Sequence, residues 1–181
     1  VKQHDLRNRI GYIPQKATLF SGTIESNLRY ADENATDSTI ENALEVSQAK
    51  EFVSKMPSGI EEPISQGGTN VSGGQKQRLS IARALVKNAD IYIFDDTFSA
   101  LDYHTDALLR EALNKMVKEK HSTVFIVAQR ISSIMHADKI IVLDQGKIVG
   151  NGTHAELMKN CPVYQEIAYS QLSRKELAVN E

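Results

Sequence analysis

A glycine-rich loop leading into a helix, followed by an apolar strand with two acidic residues at its end, most constrains the fold. Such a loop presents backbone N–H groups to an anion at the positive end of the helix dipole. A strand that ends in carboxylates aims them at a metal-bound phosphate. The strand covers residues 91–94 and is followed by Asp95 and Asp96. The loop consists of Val71, Ser72, Gly73, Gly74 and Gln75.

The composition is ordinary for one domain with an apolar core. The chain has 181 residues, of which 41% are hydrophobic and 24% are charged. Its formal net charge of −2 gives no electrostatic reason to expect DNA or RNA as a partner. The single cysteine, Cys161, cannot form an internal disulfide, which fits a reducing compartment. No apolar run approaches the ~20 residues needed to cross a bilayer.

Short apolar segments alternate with helical patterns along most of the chain. The helices are expected after Gln75 and over residues 105–118, with the segment between Gly22 and Asn70 mostly helical. The apolar segments are unbroken, which predicts a parallel sheet covered by helices on both faces. The sequence therefore predicts an α/β fold. The expected strands are 11–13, 91–94, 122–128, 139–143 and 147–149.

Polar residues with a suitable partner three positions later mark helix starts. Thr23 is expected to cap one helix, Ser38 to open a capping box for a second, and Thr153 for a third. The second helical region is expected to continue until Pro57 and Gly59 stop it.

The glycine-rich loop and the acidic strand, in this order and at this distance, resemble the signature loop and Walker B strand of an ATP-binding cassette (ABC) ATPase. Residues 12–15, which end in Gln15, resemble the Q-loop of the same family, and residues 127–130 stand where it has its switch histidine. Residues 19–24, with residues 27–28, are similar to the exporter branch in particular. The D-loop is matched by Ser99, Ala100, Leu101 and Asp102.

This resemblance implies a P-loop NTPase (RecA-like) fold with a helical subdomain, and ATP with Mg²⁺ as its ligands. Asp95 is implied to hold Mg²⁺ through water, and Gln15 to help to bind Mg²⁺ and the attacking water. The signature residues 71–75 are implied to bind the nucleotide, and the D-loop to communicate between paired domains. Asp96 and Gln129 occupy the positions of the catalytic base and of the switch residue.

Asp96 and Gln129 both depart from the family pattern. Aspartate is one methylene shorter than the usual glutamate, a loss of about 1.5 Å of reach, and a misplacement on that scale can cost on the order of a hundredfold in rate. Glutamine can hydrogen-bond but cannot take up a proton as histidine does. The two departures predict a degenerate site that binds ATP but turns it over poorly.

The signature loop is intact apart from Val71, which replaces the usual leucine. In a cassette dimer this loop completes the site of the other chain, so we expect residues 71–75 to serve a partner's site. A homodimer would carry the Asp96 and Gln129 departures twice. A second, different ABC cassette chain is therefore the expected partner, as in a heterodimeric multidrug-type exporter.

No Gly-x-x-x-x-Gly-Lys-Ser/Thr loop occurs in the sequence. In the family this Walker A loop precedes the Q-loop, so the resemblance places it, with the N-terminal part of the cassette, before Val1. A start at Val1 rather than at Met also suggests that the chain is cut from something larger. We expect the chain alone to bind ATP weakly or not at all, and to be inactive as an ATPase.

By the same resemblance, residues 22–70 form a helical insertion, residues 71–160 the ATPase core, and residues 161–181 a C-terminal helical tail. A transmembrane domain of the same parent chain is the second expected partner, at the cytoplasmic face of the cell membrane.

Two alternatives stay open: a non-hydrolysing regulatory module that dimerises on nucleotide, and a soluble cassette acting on ribosomes or DNA. The exporter-like segment 19–23 and the near-neutral charge disfavour the latter.

Overall fold

A computed structural model describes residues 2–172, which form two compact units, one up to Val127 and one from Ala128 onward. The C-terminal tail expected over residues 161–181 extends into residues 173–181, which lie outside the described part. The helices are α1 (Gln3–Asn8), α2 (Ile24–Arg29), α3 (Asp37–Val46), α4 (Lys50–Ser54), α5 (Gly73–Val86), α6 (Tyr103–Lys120), α7 (His154–Asn160) and α8 (Pro162–Gln171). The strands are β1 (Ile10–Ile13), β2 (Gly22–Thr23), β3 (Pro63–Ile64), β4 (Ile91–Asp95), β5 (Thr123–Val127), β6 (Ile140–Asp144) and β7 (Lys147–Gly152).

A parallel three-stranded sheet in the order β1, β4, β5 forms the centre of the first unit. The predicted α/β fold with a parallel sheet and helices is confirmed. Along the β1–β4 pair, Gly11 lies opposite Tyr92 and Tyr12 opposite Ile93. Gly11 permits the close approach of the Tyr92 ring, because a Cβ built on it would lie 2.7 Å from Tyr92 Cδ1.

One face of this sheet carries exposed apolar side chains, so the predicted cover on both faces is incomplete. The exposed fractions are 53% for Tyr12, 53% for Phe125 and 54% for Val127. The alternate positions on β1 and β4 are buried, among them Ile13 and Phe94, each at 0%. Alternation of this kind is typical of a sheet with one packed face.

The helical core of the first unit is built around α5, which packs against α2 and α3. The apolar side chains of α5 are buried. Burial of these side chains stabilises the unit by ~25 cal/mol per Å² of apolar area removed from water. The buried apolar residues of α5 are Leu79, Ile81, Ala82, Ala84, Leu85 and Val86.

The start of α3 differs from the sequence prediction. Thr36, rather than Ser38, is the N-cap, and its hydroxyl oxygen accepts a hydrogen bond from the backbone N–H of Thr39. Ser38 lies inside the first turn, because the earlier threonine already satisfies the free N–H group there. The expected continuous helix is also interrupted after Val46: Gln48 has a φ of 59°, a left-handed conformation that ends one helix before α4 begins.

The second unit consists of an antiparallel β6–β7 hairpin with α7 and α8. Gly146 forms the turn of this hairpin with a φ of 76°. The predicted capping box of α7 is confirmed, since Thr153 accepts from the backbone N–H of Glu156, whose carboxylate accepts from Thr153 N–H. The buried core of the unit includes Ile140, Val142, Leu157, Tyr164 and Ala168. Within residues 2–172 no helix is both long and apolar enough to cross a membrane.

Candidate nucleotide and metal site

The predicted acidic and amide residues lie at the carboxyl edge of the parallel sheet. Asp95 is the last residue of β4, and Asp96 follows it. Gln15 lies two residues beyond the end of β1, the neighbouring strand. Parallel strands end at the same edge of their sheet, so these residues lie close together. Open α/β sheets bind their ligands at this carboxyl edge.

Asp95 is held by a tyrosine from the adjacent strand. The Tyr12 hydroxyl donates a hydrogen bond of 2.9 Å to Asp95 Oδ2. This bond to the carboxylate, followed by desolvation and by the charge of Asp95, raises the pKa of the Tyr12 phenol. The phenol therefore stays protonated and remains a donor at neutral pH.

Asp96 is held in turn by Gln15, whose Nε2 donates to Asp96 Oδ2 over 3.1 Å. Asp96 has φ 46° and ψ 29°, in the left-handed region that aspartate and asparagine adopt more readily than most residues. The next residue, Thr97, is fully buried, and its hydroxyl donates to the carbonyl of Ile13. Two of the predicted site residues, Gln15 and Asp96, are therefore in direct contact.

The glycine-rich loop ends in a capped helix start. Ser72 is the N-cap of α5: its hydroxyl oxygen accepts from Gln75 N–H at 3.2 Å, and Gln75 Oε1 accepts from Ser72 N–H at 2.9 Å. Gly73 and Gly74 form the first turn. A Cβ on Gly73 would meet nothing within 4 Å, so the backbone at this position is open to close approach by another molecule.

Two basic residues in this region bind the backbone of neighbouring loops. Lys76 Nζ donates to the carbonyl of Gly67 at 2.7 Å. Arg78 Nη1 donates to the carbonyl of Gln48 at 2.9 Å, and its guanidinium lies 4.6 Å from the centre of the Phe52 ring. Burial lowers the pKa of Arg78. These contacts fix the loop that precedes Ser72 and tie α5 to the helical segment before it.

The D-loop residues form a 3₁₀ turn and the cap of the next helix. Ser99 Oγ donates to the carbonyl of Asp96 at 2.7 Å. Asp102 is the N-cap of α6, and its carboxylate accepts from the backbone N–H and the hydroxyl of Thr105, which together lower the pKa of Asp102. A Cβ on Gly74 would lie 3.9 Å from the carbonyl of Ala100, so the D-loop turn and the start of α5 are neighbours.

Gln129 lies in the second unit, at the start of residues 128–172. Its backbone carbonyl accepts a hydrogen bond of 2.8 Å from Gln171 Nε2, while Gln171 Oε1 accepts from Ile131 N–H. The side chain of Gln171, in α8, therefore fixes the backbone on which Gln129 stands.

Tyr12 belongs to the Q-loop segment, but the family resemblance assigns it no role. The pairing of β1 with β4 places Tyr12 opposite Ile93, and Asp95 follows on the same face two residues later. Period-two alternation was the only feature of the sequence that pointed to this contact.

The donor set suits Mg²⁺. Within residues 2–172 no group of three or more His, Cys, Asp or Glu residues is arranged to hold a metal ion. Mg²⁺ requires no such cage, because it keeps several waters and is bound by one or two carboxylates together with phosphate oxygens. Asp95 and Asp96 are two neighbouring half-buried carboxylates at this edge, and the amide of Gln15 lies 3.1 Å from Asp96, a set of the kind that Mg²⁺ accepts.

Comparisons with known proteins agree with the motifs. Residues 1–99 match the ABC transporter family. An uncharacterized ABC transporter ATP-binding protein of Mycobacterium tuberculosis is 47% identical over 92% of this chain and 28% of its own length. A second such protein, from Bacillus subtilis, is 43% identical over 94% of this chain and 29% of its own length. The chain thus spans less than a third of the curated relatives it matches.

A solved structure has the same fold. A bacterial Atm1-family ABC exporter with ATP bound superposes with a TM-score of 0.91 and 33% identity, over 96% of this chain and 30% of the exporter chain. Since the family match covers more than half of its residues, the chain belongs to the ABC transporter family. Within that family it is similar to the ATP-binding domain of exporters.

Proposed function

We propose that this chain is part of the ATP-binding domain of an ABC exporter, which couples ATP binding and hydrolysis to transport across a membrane. The observation that carries the proposal is the combination of a capped signature loop, intact apart from Val71, with two altered positions, Asp96 and Gln129. Such a chain serves better as one half of a heterodimer than as a self-sufficient ATPase.

In the chain's own site, Asp95 would hold Mg²⁺ through water, and Gln15 would help to bind Mg²⁺ and the attacking water. When bound, Mg²⁺ neutralises charge that develops on the transferred phosphoryl group. Asp96 occupies the position of the general base, but its short side chain also accepts from Gln15. Gln129 donates or accepts a hydrogen bond but takes up no proton at neutral pH. These features support slow turnover at this site.

In the partner's site, residues 71–75 complete the phosphate cradle from across the dimer. The capping arrangement leaves Ser72 exposed at the positive end of α5, where N–H groups and the helix dipole favour an anion. Residues 99–102 lie beside this helix start and connect it to Asp96 of the same chain. This continuity supports communication between the two sites through the D-loop.

The remaining partners follow from the same assignment. A transmembrane domain of the same parent chain receives the motion of the cassette at the cytoplasmic face of the membrane. Residues 22–70 form the helical subdomain, residues 71–160 the ATPase core and residues 161–181 the tail. A Walker A loop supplied by the full-length protein completes the nucleotide site, so the isolated chain is expected to be inactive.

ATP turnover by the full-length protein, assembled with its partner, tests this proposal by comparing Ser72→Arg with Asp96→Asn. Ser72→Arg places a bulky side chain in the partner's site and is expected to abolish turnover, while Asp96→Asn changes it little. Thr36→Arg is the matched control, because Thr36 caps α3 in the same unit but lies outside the signature. If Asp96→Asn alone stops turnover, Asp96 is a working base and the asymmetric assignment is wrong.

A second candidate function, a regulatory module that dimerises on nucleotide without hydrolysing it, is favoured by the same two altered positions. It predicts that neither variant changes turnover, whereas Ser72→Arg abolishes ATP-dependent dimerisation. The turnover assay separates the two functions, because Ser72→Arg abolishes turnover only if the complex hydrolyses ATP at the partner's site. Light scattering with and without ATP follows the dimerisation.

A further inference from the structure

Tyr12 and Asp95 are 83 residues apart in sequence and are joined by one hydrogen bond, 2.9 Å from the phenol oxygen to Asp95 Oδ2. Asp95 stands at the end of its strand, on the face to which Tyr12 belongs. The Tyr12 side chain is 53% exposed, so burial of its ring contributes less to stability than that of a core tyrosine.

We propose that Tyr12 is a positioning residue that orients the Asp95 carboxylate toward Mg²⁺. The inference rests on the proposed function, in which Asp95 holds the metal through water. A carboxylate offers two oxygens with about four lone-pair positions. The phenol occupies one position on Oδ2, which leaves Oδ1 free to accept from a metal-bound water. Partners of this kind fix the orientation of a metal-binding carboxylate and raise metal affinity.

The neighbouring carboxylate is held in the same manner, by Gln15 on Asp96. Tyr12 in β1 and Gln15 just beyond β1 therefore orient the two acidic residues at the carboxyl end of β4, one through a hydroxyl and one through an amide. Each contact uses a different donor and a different carboxylate. Loss of the phenol is expected to affect metal binding and to leave the Gln15–Asp96 contact in place.

Mn²⁺ binding, followed by electron paramagnetic resonance in the full-length assembled protein with a non-hydrolysable ATP analogue, tests the inference. Tyr12→Phe removes only the hydroxyl and is expected to weaken one class of Mn²⁺ sites about tenfold. Tyr169→Phe is the matched control, because Tyr169 is 61% exposed and lies in the second unit.

The Asp95→Asn variant distinguishes failure of the Tyr12 inference from failure of the proposed metal role of Asp95. If Asp95→Asn weakens Mn²⁺ binding and Tyr12→Phe does not, the role of Tyr12 is overturned and the proposed metal site stands. If Asp95→Asn leaves Mn²⁺ binding unchanged, the metal role of Asp95 fails, and the inference with it. Tyr12→Phe should add nothing in the Asp95→Asn background; an equal loss there shows that Tyr12 does not act through Asp95. The melting temperature of each variant reports its folding, and a loss of Mn²⁺ binding that tracks a lower melting temperature also overturns the inference.

Discussion

Gln15 and Asp96 lie just beyond the ends of two neighbouring parallel strands, β1 and β4. Gln15 Nε2 donates a hydrogen bond of 3.1 Å to Asp96 Oδ2. The contact holds the short carboxylate of Asp96 at the edge of the sheet while its backbone adopts a left-handed conformation, φ 46°. The identity of the residue at position 96 therefore affects two properties: how far the carboxylate reaches, and how much strain the backbone carries.

Replacing Asp96 by glutamate should improve hydrolysis and reduce stability. The longer side chain regains about 1.5 Å of reach, and we expect ATP turnover at this site to rise at least about tenfold in the assembled protein. Glutamate tolerates the left-handed backbone less well, at a cost of about 1 kcal/mol in the free energy of unfolding. Steady-state ATPase assays and urea denaturation measure the two effects. Asp96→Glu combined with Gln129→His should raise turnover further; unchanged turnover in both variants would refute a degenerate site.

Two substitutions at Ser72 separate helix capping from nucleotide binding. Ser72→Ala removes the side-chain oxygen that accepts from Gln75 N–H and should lower the free energy of unfolding by about 1 kcal/mol. Ser72→Asp keeps a good N-cap and should preserve stability. Its negative charge repels a phosphate, however, so turnover at the partner's site should fall. Full activity in Ser72→Asp would contradict a role of this loop in phosphate binding.

Gly11→Ala should destabilise the first unit, because a Cβ at this position would lie 2.7 Å from Tyr92 Cδ1 and 3.2 Å from the Ala84 carbonyl. The expected loss in the free energy of unfolding is about 1–3 kcal/mol, as in other overpacked cores. Gly73→Ala is the matched control, since a Cβ there would meet nothing within 4 Å. Chemical denaturation compares the two, and equal stability of both variants would show that the sheet can shift to accept the methyl group.

The buried His154 is expected to make the stability of the second unit sensitive to acid. Its side chain is buried, and a 2.7 Å hydrogen bond joins its Nδ1 to the Tyr164 hydroxyl. Desolvation, followed by repulsion from His136, lowers the pKa of His154, and burial raises the pKa of Tyr164 to about 12.

Because the folded state disfavours protonated His154, its contribution to stability is complete above the unfolded-state pKa of about 6.5. It is lost as the pH falls from there through the lowered folded-state pKa. Thermal unfolding of the wild type should therefore shift to lower temperature between pH 7.5 and pH 5.5. His154→Gln should show a smaller shift over the same range. An identical shift in both proteins would assign the acid sensitivity to other groups.

Local sequence patterns predicted most of the secondary structure. Short apolar segments identified β1, β4 and β5, and the threonine caps at Thr23 and Thr153 were both found where expected. The prediction at Ser38 was wrong because Thr36 offers an equivalent hydroxyl two residues earlier. A local pattern contains no information that decides between two adequate caps.

The sequence by itself determined the chemistry of the site: which carboxylates, amides and glycines are present, and in what order. The tertiary structure alone decided which of them meet. The contacts of Tyr12 with Asp95 and of Gln15 with Asp96 depend on β1 and β4 being neighbours in a parallel register, although more than 75 residues separate them. Strand pairing over such a distance is fixed by burial of a shared apolar core rather than by local preference, which is why the role of Tyr12 emerged only from the fold.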